Sequence, residues 1–168
     1  DNTIVCDNVG ALDIDAVPAG AGRVPFSDSA VEALAPFKPA VVSFHFGLPT
    51  PALLARVKSW GARVLSTATT VKEALWLEAH GADAVIVQGL EAGGHRGMFL
   101  TDDISTQVST LALLPQVARA VNVPVIAAGG IADAAGVRAA MALGADGVQV
   151  GTAYLLCPEA TPSPVHRA

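Results

Sequence analysis

The chain has 168 residues, of which 52% are hydrophobic and 15% are charged. This size and composition indicate one folded domain with a sizeable core and exclude a disordered chain. The net charge of -5 argues against binding to nucleic acid or to an anionic membrane surface. No uncharged stretch reaches the roughly 18 residues of a membrane-spanning helix, and the two distant cysteines, Cys6 and Cys157, favour a cytoplasmic protein without disulfides.

The first part of the chain is predicted to be irregular. Proline and glycine interrupt any periodic pattern between Pro18 and Pro25. From Val31 onward, short runs of Val, Ile and Ala alternate with alanine-rich amphipathic stretches, a pattern typical of parallel strands joined by helices. We therefore separate an irregular lead-in segment, residues 1–30, from a domain that covers residues 31–168.

Five segments of this domain are predicted as strands, because they are nearly continuous in Val, Ile and Ala, as in strands buried on both faces. They are residues 40–44, 63–66, 84–88, 123–127 and 147–150. Predicted helices lie between them, at residues 51–59, 71–79, 110–120 and 134–143. Three of these helices are followed by a Gly-Ala pair, in which the glycine is expected to end the helix.

Repeated βα units of this size suit either an open doubly wound sheet or a TIM (β/α)8 barrel. Polar and glycine-rich residues follow successive strands, which favours the barrel, with its active rim at the ends of the strands. A complete barrel typically needs about 250 residues, whereas only five strands are counted here. We therefore expect an α/β fold that is a partial TIM barrel, and a chain that is a fragment of a longer protein and does not begin with Met.

Glycines follow the fourth and fifth predicted strands. Gly129 and Gly130 follow the fourth strand, and Gly151 and Thr152 follow the fifth. In barrels the loops after the last two strands commonly bind phosphate, because bare glycine backbone and a following helix N-terminus favour the anion. The sequence therefore predicts a phosphate-bearing ligand, with Asp133 as the N-cap of the next helix. The alternative is that these glycines only turn the chain.

A long excursion, residues 89–109, follows the third strand and contains a histidine with glycines on both sides. Those glycines free the backbone to place the His95 ring over a ligand, and an unperturbed imidazole titrates near neutrality, which suits a general base. Gln88, at the strand end, carries both a donor and an acceptor for the edge of a heterocycle. A solvated loop histidine is the alternative for His95.

A second histidine, His45, ends the first predicted strand between Phe44 and Phe46 and should project at the same rim. It is either a buried structural histidine or a residue of a substrate pocket. No spacing of His, Cys, Asp and Glu matches a metal site, so no metal is expected.

Four phrases in chain order resemble the nitronate monooxygenase family, formerly called 2-nitropropane dioxygenases. They are residues 41–47, 91–97, 127–131 and 149–152. The phrase Glu-Ala-Gly-Gly-His, which ends at His95, is typical of this family and its close relatives, whereas the last two phrases also resemble other phosphate-binding flavin barrels. The resemblance runs from about Val31 to Arg167.

The resemblance implies an FMN-dependent TIM barrel that oxidises alkyl nitronates or nitroalkanes with O2 to a carbonyl compound and nitrite, and residues 31–168 would be its C-terminal portion. By resemblance, His95 is the catalytic base and His45 lines the substrate pocket. The residues implied in cofactor binding are Gln88, Gly93, Gly130, Gln149, Val150, Gly151 and Thr152. The flavin would carry the redox chemistry while the protein supplies orientation, a base and a cavity.

Two alternatives stay open. One is a related flavin-dependent reductase, either an enoyl reductase or an NADH:quinone reductase, and the other is a non-catalytic fragment that binds a phosphate ligand. In each case we expect a small-molecule partner, no nucleic acid and no membrane, while a homo-oligomer is compatible with the sequence. The resemblance implies that the first strands of the barrel, which in relatives carry further flavin contacts, are missing here, so we expect this chain alone to bind FMN poorly.

Overall fold

The computed structural model describes residues 25–163, which contain one five-stranded sheet. The strands are β1 (Val41–Phe44), β2 (Arg63–Ala68), β3 (Ala84–Gln88), β4 (Val125–Ala128) and β5 (Gly147–Gln149). All neighbouring strands pair in parallel, and their order in the sheet is their order in the sequence. This arrangement confirms the predicted α/β class, five successive units of a TIM barrel, because a doubly wound sheet reverses its strand order partway.

Helices precede the first strand and connect the strands. They are α1 (Asp28–Leu34), α2 (Pro51–Ser59), α3 (Val71–Ala79), α4 (Thr110–Ala120) and α5 (Ala134–Ala142), with short 3-10 helices at Ile104–Thr106 and Thr152–Leu156. Gly61, Gly81 and Gly144 have φ of 83°, 99° and 101°. This left-handed conformation ends α2, α3 and α5 as the sequence predicted. Among residues 25–163, no helix combines the length and hydrophobicity needed to cross a membrane.

Helix α1 is a correction to the predicted lead-in segment. It begins at Asp28, inside the stretch expected to be irregular, because residues 28–34 contain neither proline nor glycine and Asp28 places a carboxylate in the first turn. Val31, 1% exposed, anchors the helix against Val57 of α2. Residues 1–24 of the predicted segment lie outside the described residues, and the division at residue 31 stays a prediction.

The two edge strands also differ from expectation. The sequence predicts all five strands to be buried on both faces, and β3 is buried at every residue. Strand β1 instead alternates between exposed and half-buried residues, and β5 contains no fully buried residue. The reason is that, within residues 25–163, β1 pairs only with β2 and β5 only with β4, so each edge strand lacks a neighbour on one side.

The core lies between the centre of the sheet and helices α3 and α4. Leu77 of α3, together with Leu114 and Val117 of α4, is fully buried against the β3 side chains Val85 and Val87. Full burial of such side chains contributes about 1.5–3 kcal/mol each. Strand β3 is thus buried along its whole length, and its last residue, Gln88, is rigidly supported at the carboxyl end of the sheet.

Candidate active site

An open cleft of about 970 Å³ lies where the carboxyl ends of the strands meet. Eight of the nine sequence-predicted site residues line it: His45, Gln88, Gly93, His95, Gly130, Gln149, Gly151 and Thr152. Val150 does not line it, although it separates two residues that do. Parallel strands bring their ends to one rim, which is why positions more than 100 residues apart in sequence share this space. The roles of these residues stay predictions.

Gln88 holds the loop that carries His95. Its Nε2 donates to the main-chain carbonyl of His95 at 2.9 Å, and its Oε1 accepts from the main-chain N–H of Gly97 at 2.8 Å. The side chain is buried, with 7% exposure. Both ends of the amide group therefore bind the protein's own backbone, in addition to any contact with the heterocycle that the sequence predicted.

His45 contacts the same carbonyl. Its Nε2 lies 3.1 Å from the carbonyl oxygen of His95, and its Nδ1 lies 3.0 Å from Oγ1 of Thr67. Because a carbonyl oxygen only accepts, Nε2 of His45 is the donor. The ring is exposed at the cleft, so the alternative of a buried structural histidine is wrong.

Gly97 allows the His95 loop to pack closely. A Cβ atom at this position would lie 2.6 Å from Cε1 of His45 and 2.8 Å from Cγ2 of Thr67. Both neighbours are held together by the His45–Thr67 contact. A glycine is therefore needed at position 97 because the main chain passes so close to His45 and Thr67. The sequence alone suggested only backbone freedom as the reason for the glycines of this loop.

Glu91 and Arg96 were not predicted as site residues, yet they shape the start of the excursion. Oε2 of Glu91 accepts hydrogen bonds from the main-chain N–H and from Oγ1 of Thr110, both at 2.8 Å, at the N-terminus of α4. Arg96 donates to the carbonyls of Gly89 at 2.7 Å and of Leu90 at 3.1 Å. The segment around Gly89 is thus held both to α4 and to the His95 loop.

The pKa values of Glu91 and Arg96 are both shifted by their surroundings. Desolvation raises the pKa of Glu91, but the hydrogen bonds from Thr110 and the positive charge of Arg96 outweigh it and lower the pKa below its ordinary value. Desolvation lowers the pKa of Arg96, partly offset by the charge of Glu91. The carboxylate at the N-terminus of α4 is consequently charged at neutral pH and matches the helix dipole.

A buried carboxylate fixes the far end of the excursion. Glu73, with 0% exposure, accepts at Oε2 from the main-chain N–H and Oγ1 of Thr69, both at 2.7 Å. Its Oε1 accepts from the main-chain N–H of Phe99 at 2.7 Å and of Leu100 at 3.2 Å. Four donors compensate the cost of burying the charge. Two of these donors belong to Thr69, just before α3, but the other two lie 26 and 27 residues away, so the local pattern of α3 carried no signal that Glu73 binds the excursion.

The ends of β4 and β5 present open backbone to the cleft. Gly130 has φ of 68°, and a Cβ added to Gly151 would meet no atom within 4 Å. Among residues 25–163, no hydrogen bond is donated by the main-chain N–H of Gly130 or of Gly151. Asp133 caps α5 through the N–H of Gly136 at 2.8 Å, as predicted. These two amides and the Thr152 hydroxyl fit the oxygens of a phosphate group.

The cleft has the size of a small-molecule site. In the part of the chain that the structure describes, no group of three or more His, Cys, Asp and Glu side chains is arranged to hold a metal ion. A volume near 970 Å³ stands at the upper end of the range for small-molecule sites, about 300–1,000 Å³.

Comparison with known proteins identifies a family. The sequence model of the nitronate monooxygenase family matches residues 15–168. The nitronate monooxygenase of Paraburkholderia phytofirmans is 52% identical over 122 residues, which are 73% of this chain and 33% of that protein. The counterpart in Pseudomonas aeruginosa is 50% identical over 130 residues, 77% of this chain and 37% of that protein.

Two solved structures share the fold at substantial identity. The nitroalkane oxidase of Streptomyces ansochromogenes superposes with a TM-score of 0.83 at 41% identity, over 96% of this chain and 47% of that one. FabK of Thermotoga maritima superposes with a TM-score of 0.71 at 39% identity, over 86% of this chain and 43% of that one. The chain thus spans between a third and a half of the length of these relatives. Since the family's sequence model covers nearly the whole chain, the chain belongs to the nitronate monooxygenase family.

Proposed function

We propose that this protein is an FMN-dependent oxidoreductase that oxidises alkyl nitronates or nitroalkanes with O2 to a carbonyl compound and nitrite. One observation carries the proposal: the exposed His95 and the open amides at the ends of β4 and β5 line a single cleft. The name of the Streptomyces relative, a nitroalkane oxidase, supports the same substrate class.

The phosphate of FMN would be held by the main-chain N–H groups of Gly130 and Gly151 and by the hydroxyl of Thr152. Gln149, which ends β5, and Gly93, whose added Cβ would lie 3.0 Å from Oγ1 of Thr152, would flank the rest of the cofactor. Bound FMN supplies the electron transfer from substrate to O2, which no side chain of this protein can carry out. The protein residues bind, orient and shield the reactants.

His95 acts on the proton. With a neutral nitroalkane, a ring nitrogen of His95 accepts the α-proton, which yields the nitronate form of the substrate. With a preformed nitronate this proton has already left, and His95 only lies beside the anion. The hydrogen bonds of Gln88 and His45 to the His95 carbonyl hold the main chain in place while the His95 ring accepts the proton.

The test compares two substrates on protein saturated with excess FMN. Neutral 2-nitropropane and its preformed nitronate are offered separately, and nitrite and carbonyl product are measured. In a His95→Asn variant we expect kcat/KM for the neutral compound to fall by about 10²- to 10⁴-fold, with a much smaller loss for the nitronate. His80→Asn is the matched control, because His80 stacks on Trp76 outside the cleft.

Each outcome is informative. An equal loss with both substrates would remove the base role from His95, and absence of nitrite from flavin-loaded protein would refute the proposed reaction. Flavin absorbance that co-purifies stoichiometrically with the 168-residue chain would contradict the expected weak FMN binding.

A cytoplasmic location and a homo-oligomeric state stay predictions.

A flavin-dependent reductase is the second candidate, because the glycine-rich phrases at residues 127–131 and 149–152 also resemble those of other phosphate-binding flavin barrels. Oxidation of NADH with a quinone or an enoyl substrate, without nitrite from any nitronate, would favour it. A non-catalytic binding fragment would bind FMN equally well with and without the His95→Asn change and turn over none of these substrates.

A further inference from the structure

Two consecutive residues after β1, His45 and Phe46, both contact His95. His45 binds the main chain of His95 through a hydrogen bond to its carbonyl. Phe46 contacts the side chain, with its ring edge-to-face on the His95 imidazole at a centroid distance of 6.2 Å and an interplanar angle of 89°. Residues 45 and 46 together therefore contact both the main chain and the side chain of His95, the candidate base.

The hydrogen bonds of His45 fix its tautomer. Its Nε2 carries the proton, since its partner there is a carbonyl oxygen. In the neutral ring, Nδ1 then accepts from the hydroxyl of Thr67, at 3.0 Å. Thr67 is only 5% exposed, so one side of this contact is buried. A ring whose two nitrogens already bind protein is suited to positioning, not to accepting a proton from substrate.

Phe46 has a strained backbone. Its φ of 66° lies in the left-handed region, which costs a non-glycine residue about 1–2 kcal/mol. Phe46 is 40% exposed, so its burial offsets that cost only in part. The ring instead contacts His45 at 4.4 Å and His95 at 6.2 Å. Strain of this kind concentrates at functional sites, where a particular side-chain placement is maintained at the expense of stability.

We propose that His45 and Phe46 are positioning residues for His95, His45 acting on its main chain and Phe46 on its ring. This inference rests on the proposed role of His95 as the base, and it gives His45 a function other than a direct substrate contact through its ring nitrogens. Gln88 is the second donor to the same carbonyl, so the geometry of the loop depends on two side chains, one just after β1 and one at the end of β3.

The first experiment uses NMR on the flavin-free 168-residue chain, so that failure of the nitronate reaction leaves it interpretable. Long-range proton–nitrogen spectra should show His45 as the Nε2–H tautomer. Hydrogen exchange of the Gly97 amide, which donates to Gln88, reports closure of the loop. In His45→Phe this exchange should accelerate about 3- to 10-fold, as expected for one lost hydrogen bond, and His45→Gln should restore it to within about 2-fold.

The Val85 amide is the internal reference, because Val85 is fully buried and its amide donates to the carbonyl of Pro124. Equal acceleration at Val85 and Gly97 would mean a general loss of stability and would overturn the role of His45. An Nδ1–H tautomer of His45 would overturn it as well.

The second experiment separates positioning from strain. Phe46→Gly relieves the backbone and should leave the unfolding midpoint unchanged or raised, while the His95 ring signals shift and broaden through loss of the aromatic contact. Lys38→Gly is the matched control, since Lys38 also has a positive φ, 41°, but does not line the cleft, and it should leave the His95 signals unchanged. Unaltered His95 signals in Phe46→Gly would overturn the role of Phe46.

Discussion

Replacement of Glu91 by Gln tests how the active-site excursion is attached to α4. The amide can still accept both Thr110 hydrogen bonds, which measure 2.8 Å, so the change removes charge and little else. Loss of the interaction with the helix N-terminus costs about 0.3–1 kcal/mol, and weakening of a charge-assisted bond costs about 1 kcal/mol more. Because Glu91 is exposed, we take the lower part of this sum and expect about 1.5 kcal/mol.

The loss should depend on pH in a defined direction. The pKa of Glu91 in the folded chain lies below its ordinary value of 4.5, so its stabilisation is fully present above that pH and is lost as the pH falls through the folded pKa. Urea unfolding of both proteins at a series of pH values between about 7 and 3 measures the difference. At pH 7 the variant should also melt about 3–6 °C lower.

Glu32→Gln is the control, because Glu32 is an exposed residue of α1 and its replacement should change the free energy of unfolding by less than about 0.5 kcal/mol. A difference between Glu91→Gln and the unmodified chain that persists undiminished at pH 3 would refute the electrostatic reasoning. Equal stability of the two proteins at pH 7 would refute it too.

Gly89→Ala should abolish soluble folded protein or cost more than about 3 kcal/mol in chemical denaturation, because its Cβ would lie 2.0 Å from Oγ1 of Thr110. Gly61→Ala, with no atom within 4 Å of its Cβ, should lose only about 1–2 kcal/mol in the same assay, from its positive φ. Leu77→Ala, at a fully buried position, should cost about 2–5 kcal/mol in urea unfolding. Asp83→Asn should destabilise the chain at neutral pH. Desolvation raises the pKa of Asp83, but its hydrogen bonds and nearby cations lower it below 3.8, so the stabilisation by the carboxylate disappears as the pH falls. In urea titrations at acid pH, the variant and the unmodified chain should therefore be equally stable.

Local patterns were sufficient to predict most of the fold. Strand β3 has the bounds read from its run of Ala, Val and Ile, and the glycines after α2, α3 and α5 end those helices as expected. Helix α1 was missed because seven residues with one buried side chain, Val31, show no readable period. Exposure of β1 and β5 depends on the absence of a neighbouring strand, a property that the composition of a strand does not record.

The residues of the site likewise divide into those that could be predicted from the sequence and those that could not. His95 and the glycines after β4 and β5 could be read from the sequence because they belong to short contiguous phrases. Glu91 and Glu73 could not, since their partners lie 19 and up to 27 residues away, and only the folded chain brings them into contact. The positive φ of Phe46 was equally invisible, because an aromatic residue carries no sequence signal for that conformation.

The sequential strand order bears on how the chain assembles during synthesis. Paired residues such as Val41 and Arg63, or Ile126 and Gly147, are close along the chain, so each new unit can join the sheet soon after it leaves the ribosome. The exception is the pairing of Val85 with Val125, which closes a loop about twice as long at an entropic cost of only about 0.6 kcal/mol. The β3–β4 pairing can therefore form only after the whole excursion, residues 89–109, has been synthesised.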